Sequence, residues 1–144
     1  MDNFYVYLSS DDSITFFPNN KPNNFTLNLG RSINLEGKWV CALKEVNCYI
    51  NEKLPKILYI LCDCCDQSYA RNTYMPILRT VAIDVSEGLF IEEFSDAFYK
   101  PLSTSNISTV TISIRGEDGA DADFNSKVFK CILHFKRIKN NFLK

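Results

Sequence analysis

Two runs in the last third of the chain alternate apolar and polar residues so strictly that a β-sheet is the fold they constrain most. The first is Val110-Thr111-Ile112-Ser113-Ile114-Arg115. The second is Lys127-Val128-Phe129-Lys130-Cys131-Ile132-Leu133-His134-Phe135-Lys136-Arg137. Successive strand residues point to opposite faces, so Val110, Ile112 and Ile114 share one face. By the same rule Phe129, Cys131, Leu133 and Phe135 share another. An acidic, Gly-containing stretch, Gly116 to Asp123, lies between the runs. This pattern predicts a long hairpin with one buried side.

The rest of the chain reads the same way. Phe4-Tyr5-Val6-Tyr7-Leu8, Phe25-Thr26-Leu27-Asn28-Leu29, Trp39 to Tyr49, Ile57 to Cys62 and Met75 to Val85 read as strands. Ile14 to Phe17 reads as a short extended piece, and Asp66 to Asn72 as a polar loop. Leu89 to Leu102 is ambiguous, because Phe90, Phe94, Ala97 and Phe98 recur at helical spacing. One short helix near 89–98 stands beside a strand there, and Pro101 limits how far a helix could run. The sum is an all-β chain of about eight antiparallel strands, a sandwich or barrel. The 144 residues fit one domain, 1–144, with 139–144 as a flexible basic tail. Eleven Phe, seven Tyr and one Trp favour pleated, half-buried surfaces over helices.

Charge excludes some functions. A formal net charge of −1 argues against nucleic-acid binding by the whole surface. No stretch nears about 18 consecutive apolar residues, so no membrane helix is expected. Met1-Asp2-Asn3-Phe4 does not begin a secretory signal, so the cysteines at 41, 48, 62, 64, 65 and 131 are expected as reduced thiols inside a cell. For the same reason the triplets at Asn24 and Asn106 are not expected to be glycosylated.

Chemistry is sparse. Cys62-Asp63-Cys64-Cys65 is tight, but the usual paired zinc spacing is not repeated. Cys131 and His134, three apart on a strand, face opposite ways and cannot grip one metal. The expectation is therefore no metal and no cofactor, with cysteines acting as small hydrophobes. His134, the one histidine, has no carboxylate near it in sequence and makes a poor general base. No nucleophile elbow, phosphate loop or zincin motif occurs, so no catalytic residue is assigned. Glu117 to Asp123 offers four carboxylates, which calcium could use, or which keep an exposed turn from aggregating. The C-terminal end is basic, and Lys136, Arg137, Lys139 and Lys144 are candidates to meet nucleic acid or an acidic partner.

Three blocks in order carry a resemblance. The first is Phe4-Tyr5-Val6-Tyr7-Leu8-Ser9-Ser10, Phe17-Pro18-Asn19-Asn20, Phe25-Thr26, Leu35-Glu36-Gly37-Lys38-Trp39 and Leu43-Lys44-Glu45-Val46. The second is Leu58-Tyr59-Ile60-Leu61-Cys62-Asp63 with Pro76-Ile77-Leu78-Arg79. The third is Tyr99-Lys100-Pro101-Leu102, Thr109 to Arg115, Asp118-Gly119, Phe124 and Leu133-His134-Phe135-Lys136-Arg137. Together they resemble the penton, or minor capsid, protein of Polinton/Maverick-type elements and adintoviruses. Asp11-Asp12 and Cys64-Cys65 depart from that family's pattern.

The resemblance implies a single jelly roll of two four-stranded sheets and a fivefold assembly at capsid vertices. It implies a virion protein, made inside the host cell. Its partners would be itself, as a pentamer, the major capsid protein of the same element and packaged DNA at the basic C-terminus, with no membrane. Exposed aromatics would sit at the seams of such an assembly. Tyr5, Tyr7, Phe16 and Tyr69 are the candidates, with His134 beside them, and core packing is the alternative for each aromatic. A rival reading is a β-sandwich module for glycan or peptide, with Asn19 to Asn24 and Phe25 as its nearest site.

Overall fold

The computed structural model describes residues 2–12, 15–70 and 72–139. The strands are β1 (Asn3–Ser9), β2 (Asn24–Asn34), β3 (Trp39–Ile50), β4 (Ile57–Cys62), β5 (Ser68–Ala70), β6 (Thr73–Met75), β7 (Ile77–Ala82), β8 (Gly88–Glu93), β9 (Lys100–Pro101), β10 (Asn106–Gly116) and β11 (Lys130–Arg137). Among the described residues there is no helix, so none crosses a membrane. One sheet runs β1-β11-β3-β8, with β9 also on β3. The other runs β2-β10-β4-β7, and β5-β6 is a small separate hairpin. All pairings are antiparallel. Eight main strands that alternate between two sheets in this order form a jelly roll.

The two alternating runs do become strands, and their apolar sides are buried as the pattern predicts. Val110, Ile112, Ile114, Phe129, Leu133 and Phe135 are each 0% exposed. They are not a hairpin. β10 pairs with β2 and β4, whereas β11 pairs with β1 and β3. The chain crosses from one sheet to the other between them. Ala122, inside the acidic stretch, and Phe124, just after it, are buried with Phe129 in the common core. The Phe124 and Phe129 rings meet at 5.4 Å, and Phe129 meets Phe25 of the opposite sheet at 6.1 Å. These apolar pegs hold the connection against the end of the sandwich, which a simple hairpin turn would not need.

Other expectations also shift. Residues 89–98 form β8 and a following loop. Phe90 and Phe94 are buried, but Phe98 is exposed, so the helical spacing does not mark one face. Thr15 and Phe16 lie in a turn and not in an extended piece, while Ile14 falls outside the described residues. The polar stretch 66–72 contains β5.

Close packing shows at Gly116. A Cβ there would lie 2.3 Å from Cγ of Pro55, so only glycine lets β10 pass this loop.

Candidate assembly surface

The inward side of each sheet is apolar, so function has to be sought on the outward sides and the loops. On β1 the inward residues are Val6 and Leu8, which leaves Tyr5 and Tyr7 outward. Tyr5 lies opposite His134, and Tyr7 opposite Ile132. On the far side of the same sheet Tyr49 lies opposite Leu89, and Asn47 opposite Ile91. Tyr5, Tyr7, Tyr49, Leu89 and Ile91 are all about half exposed or more, up to 68% at Tyr7. One sheet face therefore carries two apolar groups. A concavity of about 390 Å³, lined by Tyr7, Ile132, Glu45, Asn47 and Lys130 with Asp11 and Asp12, lies on the Tyr7 side.

The structure thus brings three predicted residues together, Tyr5, Tyr7 and His134. It places the other two elsewhere. Tyr69 is 78% exposed on the β5-β6 hairpin, where its ring meets that of Tyr74, tilted, with centroids 4.7 Å apart. Phe16 is exposed in the β1-β2 loop. Tyr49, Leu89 and Ile91 were missed by the sequence reading, and a bulge explains Tyr49. Leu133 pairs with Leu43 but Ile132 with Glu45, so Lys44 is an extra residue. It reverses the alternation. Cys41 and Leu43 face inward before it, and Val46, Cys48 and Ile50 after it. Unbroken alternation from Cys41 would have turned Tyr49 inward. Leu89 and Ile91 were hidden by the helical spacing of their Phe neighbours.

His134 is held tightly for a surface residue. Its ring stacks on Tyr5 with centroids 4.4 Å apart. Its Nε2 lies 3.3 Å from Oδ1 of Asn3, and Nδ1 lies 2.9 Å from the Tyr99 hydroxyl. An amide oxygen only accepts, so Nε2 donates to Asn3 and Nδ1 accepts from Tyr99. Burial, then the charges of Lys136 and Lys44, hold the imidazole below its usual range. With both nitrogens engaged, His134 is a fixed, neutral part of the surface.

The basic C-terminal residues have partners within the chain. Lys136 Nζ sits 4.0 Å from the Tyr99 ring centre, and the Arg137 guanidinium 5.6 Å from that of Trp39. Lys139 pairs with Asp2 at 3.1 Å and holds that carboxyl below the usual range. Lys144, with the tail from 140 onward, lies outside the described residues.

The acidic loop does not converge. Asp118 Oδ1 accepts from the Ala120 backbone, Asp123 Oδ1 from that of Asn125, and Asp121 faces Arg115 at 3.9 Å. Near Asn19 to Asn24, Phe25 is only 1% exposed and belongs to the core, so it cannot be the aromatic of a glycan site. Asn20 is used to shape the loop, accepting from Thr26 N–H and donating to Thr26 C=O. The sole grouping of three potential metal donors among the described residues is Cys62, Asp63 and Cys64. Cys65 beside them is pulled down to about 5, chiefly by hydrogen bonds from Cys41 and Cys62.

No family model and no curated protein matches the sequence. Solved structures do. The crystal structure of the mavirus penton protein superposes with a TM-score of 0.66 over 96% of this chain and 100% of that chain, at 5% identity. The chain shares the penton jelly-roll fold. A virus-like particle of the extra small virus of the prawn Macrobrachium rosenbergii gives a TM-score of 0.31 at 10% identity, over 96% of this chain and 80% of that chain. The penton match places the fold expected from the three sequence blocks on a structural footing, from the first strand through β11.

Proposed function

We propose that this protein is a penton-type capsid subunit, one jelly-roll domain that closes into a pentamer at the vertices of a virion. The observation that carries the reading is a shared fold over the whole length of a penton chain, joined to an apolar outward sheet face. A second copy of the chain is the occupant assigned to that face. A ring uses two different surfaces of each protomer and closes by rotation. Specific interfaces bury roughly 1,200–2,000 Å² in total, so the Tyr7 and Leu89 groups are assigned to its centre and the charged loops to its rim.

The same reading makes the major capsid protein of a Polinton/Maverick-like element the second partner. Catalysis has no place in that reading, in which the one histidine is a fixed part of the surface. The same reading keeps packaged DNA as a further partner of the basic C-terminal end, through Lys136, Arg137, Lys139 and Lys144.

Native mass across a concentration series tests the proposal, by light scattering and sedimentation. The expected result is a species of five chain masses that dissociates on dilution. A strict monomer at every concentration that also fails to enter capsids on co-expression with a major capsid protein would overturn it.

A further inference from the structure

Six buried cysteines line the core, and two of them form a close pair. The Cys62 and Cys64 sulfurs are 3.2 Å apart. Residues two apart in an extended strand share a face but stand about 6.6 Å apart along it. β4 ends at Cys62, and the chain turns there. Cys65 N–H bonds Cys62 C=O at 3.2 Å, which closes a four-residue turn and swings Cys64 back toward Cys62. This turn is also a fastening between the two sheets, with residues 101–103 as the crosspiece. On one side of the crosspiece Leu102 N–H bonds Trp39 C=O of β3, in the first sheet. On the other side Asp66 N–H bonds Pro101 C=O, and Ser103 N–H bonds Cys64 C=O, just after β4 of the second sheet.

We propose that Cys62 and Cys64 are a reversible redox site, a dithiol that a disulfide oxidant of the glutathione class closes into a disulfide, locking this fastening. An S–S bond is about 2.05 Å long, so closure takes roughly 1 Å of movement within a turn already formed. One thiolate attacks oxidised glutathione, breaks its S–S bond and releases one reduced glutathione. The second thiolate attacks the mixed disulfide so formed, closes the Cys62–Cys64 bond and releases the other. The two thiols lose two protons and two electrons, and one oxidised glutathione takes them up to become two reduced molecules. Excess reduced glutathione runs both steps backwards, so the site is open in a reducing compartment and closed in an oxidising one. Both cysteines are buried, whereas Asp63 between them is exposed, so opening of this surface turn alone gives the oxidant access. The hydrogen bond to Cys62, then burial, hold the Cys64 thiol well above its usual range, which keeps it inert while the turn is shut. Cys48, by contrast, is pushed up to about 12 by burial and acts as a small hydrophobe.

Oxidised glutathione is the probe. The full-length, reduced protein is equilibrated with it, quenched in acid, unfolded, alkylated and cut with trypsin for mass spectrometry. The peptide Ile57–Arg71 holds three cysteines, Cys62, Cys64 and Cys65. The expected result is a single alkyl group on that peptide, at Cys65, with alkylation at Cys62 and Cys64 restored by excess reduced glutathione. Cys65→Ala should still close the bond, whereas Cys62→Ala and Cys64→Ala should lose it. Because a core variant can fail to fold, the position of the label in the wild type decides the matter. Amide exchange reads the fastening, and the Cys65, Asp66 and Ser103 N–H groups should exchange about tenfold more slowly in the oxidised protein. Alkylation of all three cysteines after oxidation overturns the proposal. So does a bond that maps to Cys65, or a glutathione adduct that persists in place of the bond. Unchanged amide exchange in the oxidised protein overturns the locking role.

Discussion

The two sheets are alike on their inner sides and differ on their outer ones in how far large apolar groups are exposed. Outward from the β2-β10-β4-β7 sheet stand Thr26, Asn28, Thr80, Thr109, Thr111, Ser113 and Arg115, and among them Ile57, Tyr59 and Leu61 of β4, none of which is exposed. The Thr26 and Thr111 hydroxyls bond across the strands at 2.8 Å. The exposed part of this outer side is polar, as on an antiparallel sheet with one wet side. Outward from the β1-β11-β3-β8 sheet stand Tyr5, Tyr7, Tyr49, Leu89 and Ile91. Scattered apolar residues on a surface need no explanation, but grouped ones on one of two equivalent faces do. Since the second sheet leaves none of its outward apolar residues exposed, the exposure of those on the first is not a requirement of folding. That difference supports the assembly role proposed for the first.

The largest effect is expected where inner and outer sides are set against each other. Phe135→Ala removes a ring that is 0% exposed and stacks on Phe4 with centroids 4.9 Å apart. It should lower unfolding free energy by about 3–5 kcal/mol in urea. Thr111→Ala, on the wet side of β10, forfeits a hydroxyl pair and should cost about 0.5–1.5 kcal/mol. Equal losses would mean that the outer hydroxyl ladder carries as much stability as the core, and the inside-outside division would fail.

The next test sets the two outer faces against each other. Tyr7→Lys and Leu89→Lys place charges in the centre of the apolar groups. Each should leave monomer stability within about 0.5 kcal/mol, as surface changes do, and should drive the native mass to that of one chain. Thr80→Lys, on the polar face, should leave the assembled mass in place. If Thr80→Lys dissociates the assembly as well, the ring packs the apolar face of one protomer on the polar face of the next, and the contact becomes sheet on sheet.

Much of this contrast was readable from residue order, for a simple reason. Alternation reports burial directly, so the inward sides of β1, β10 and β11 could be named before the fold was known. Tyr5, Tyr7 and His134 follow as their outward complement. Three kinds of information were not local. Which strands pair is decided by packing between sheets, so β10 and β11 looked like a hairpin although they face each other across the core. The Lys44 bulge flips parity within a strand, and nothing in Leu43-Lys44-Glu45-Val46 announces it. That Cys41 of one sheet shares a core with Cys62, Cys64 and Cys65 depends on both sheets being in place. The acidic turn misled for a related reason, since its charges dominate the composition while Ala122 and Phe124 do the packing.

The smallest effect concerns pH and the way the apolar face is held. His134 is neutral in the stack with Tyr5 because burial and two lysines disfavour its charge. Its folded pKa lies below the unfolded value, about 6.5, so the unfolded chain binds more protons between the two. The stability it contributes is complete above about 6.5 and is lost as pH falls through the folded value. The carboxylates of the whole chain also respond to acid, so the difference between wild type and His134→Gln isolates this group. On going from pH 8 to pH 5, the wild type should lose more Tm than His134→Gln, and the gap should narrow in Lys136→Gln, where one of the two repelling charges is gone. Protonation would also set a cation among Tyr5, Tyr99 and Lys136, at the margin of the Tyr7 group. Acid should therefore weaken assembly of the wild type before it unfolds the protomer, and His134→Gln should stay assembled to lower pH. Identical acid profiles for the two proteins would detach His134 from the surface assigned to assembly and leave it as a fastening between β1, β11 and the loop that carries Tyr99.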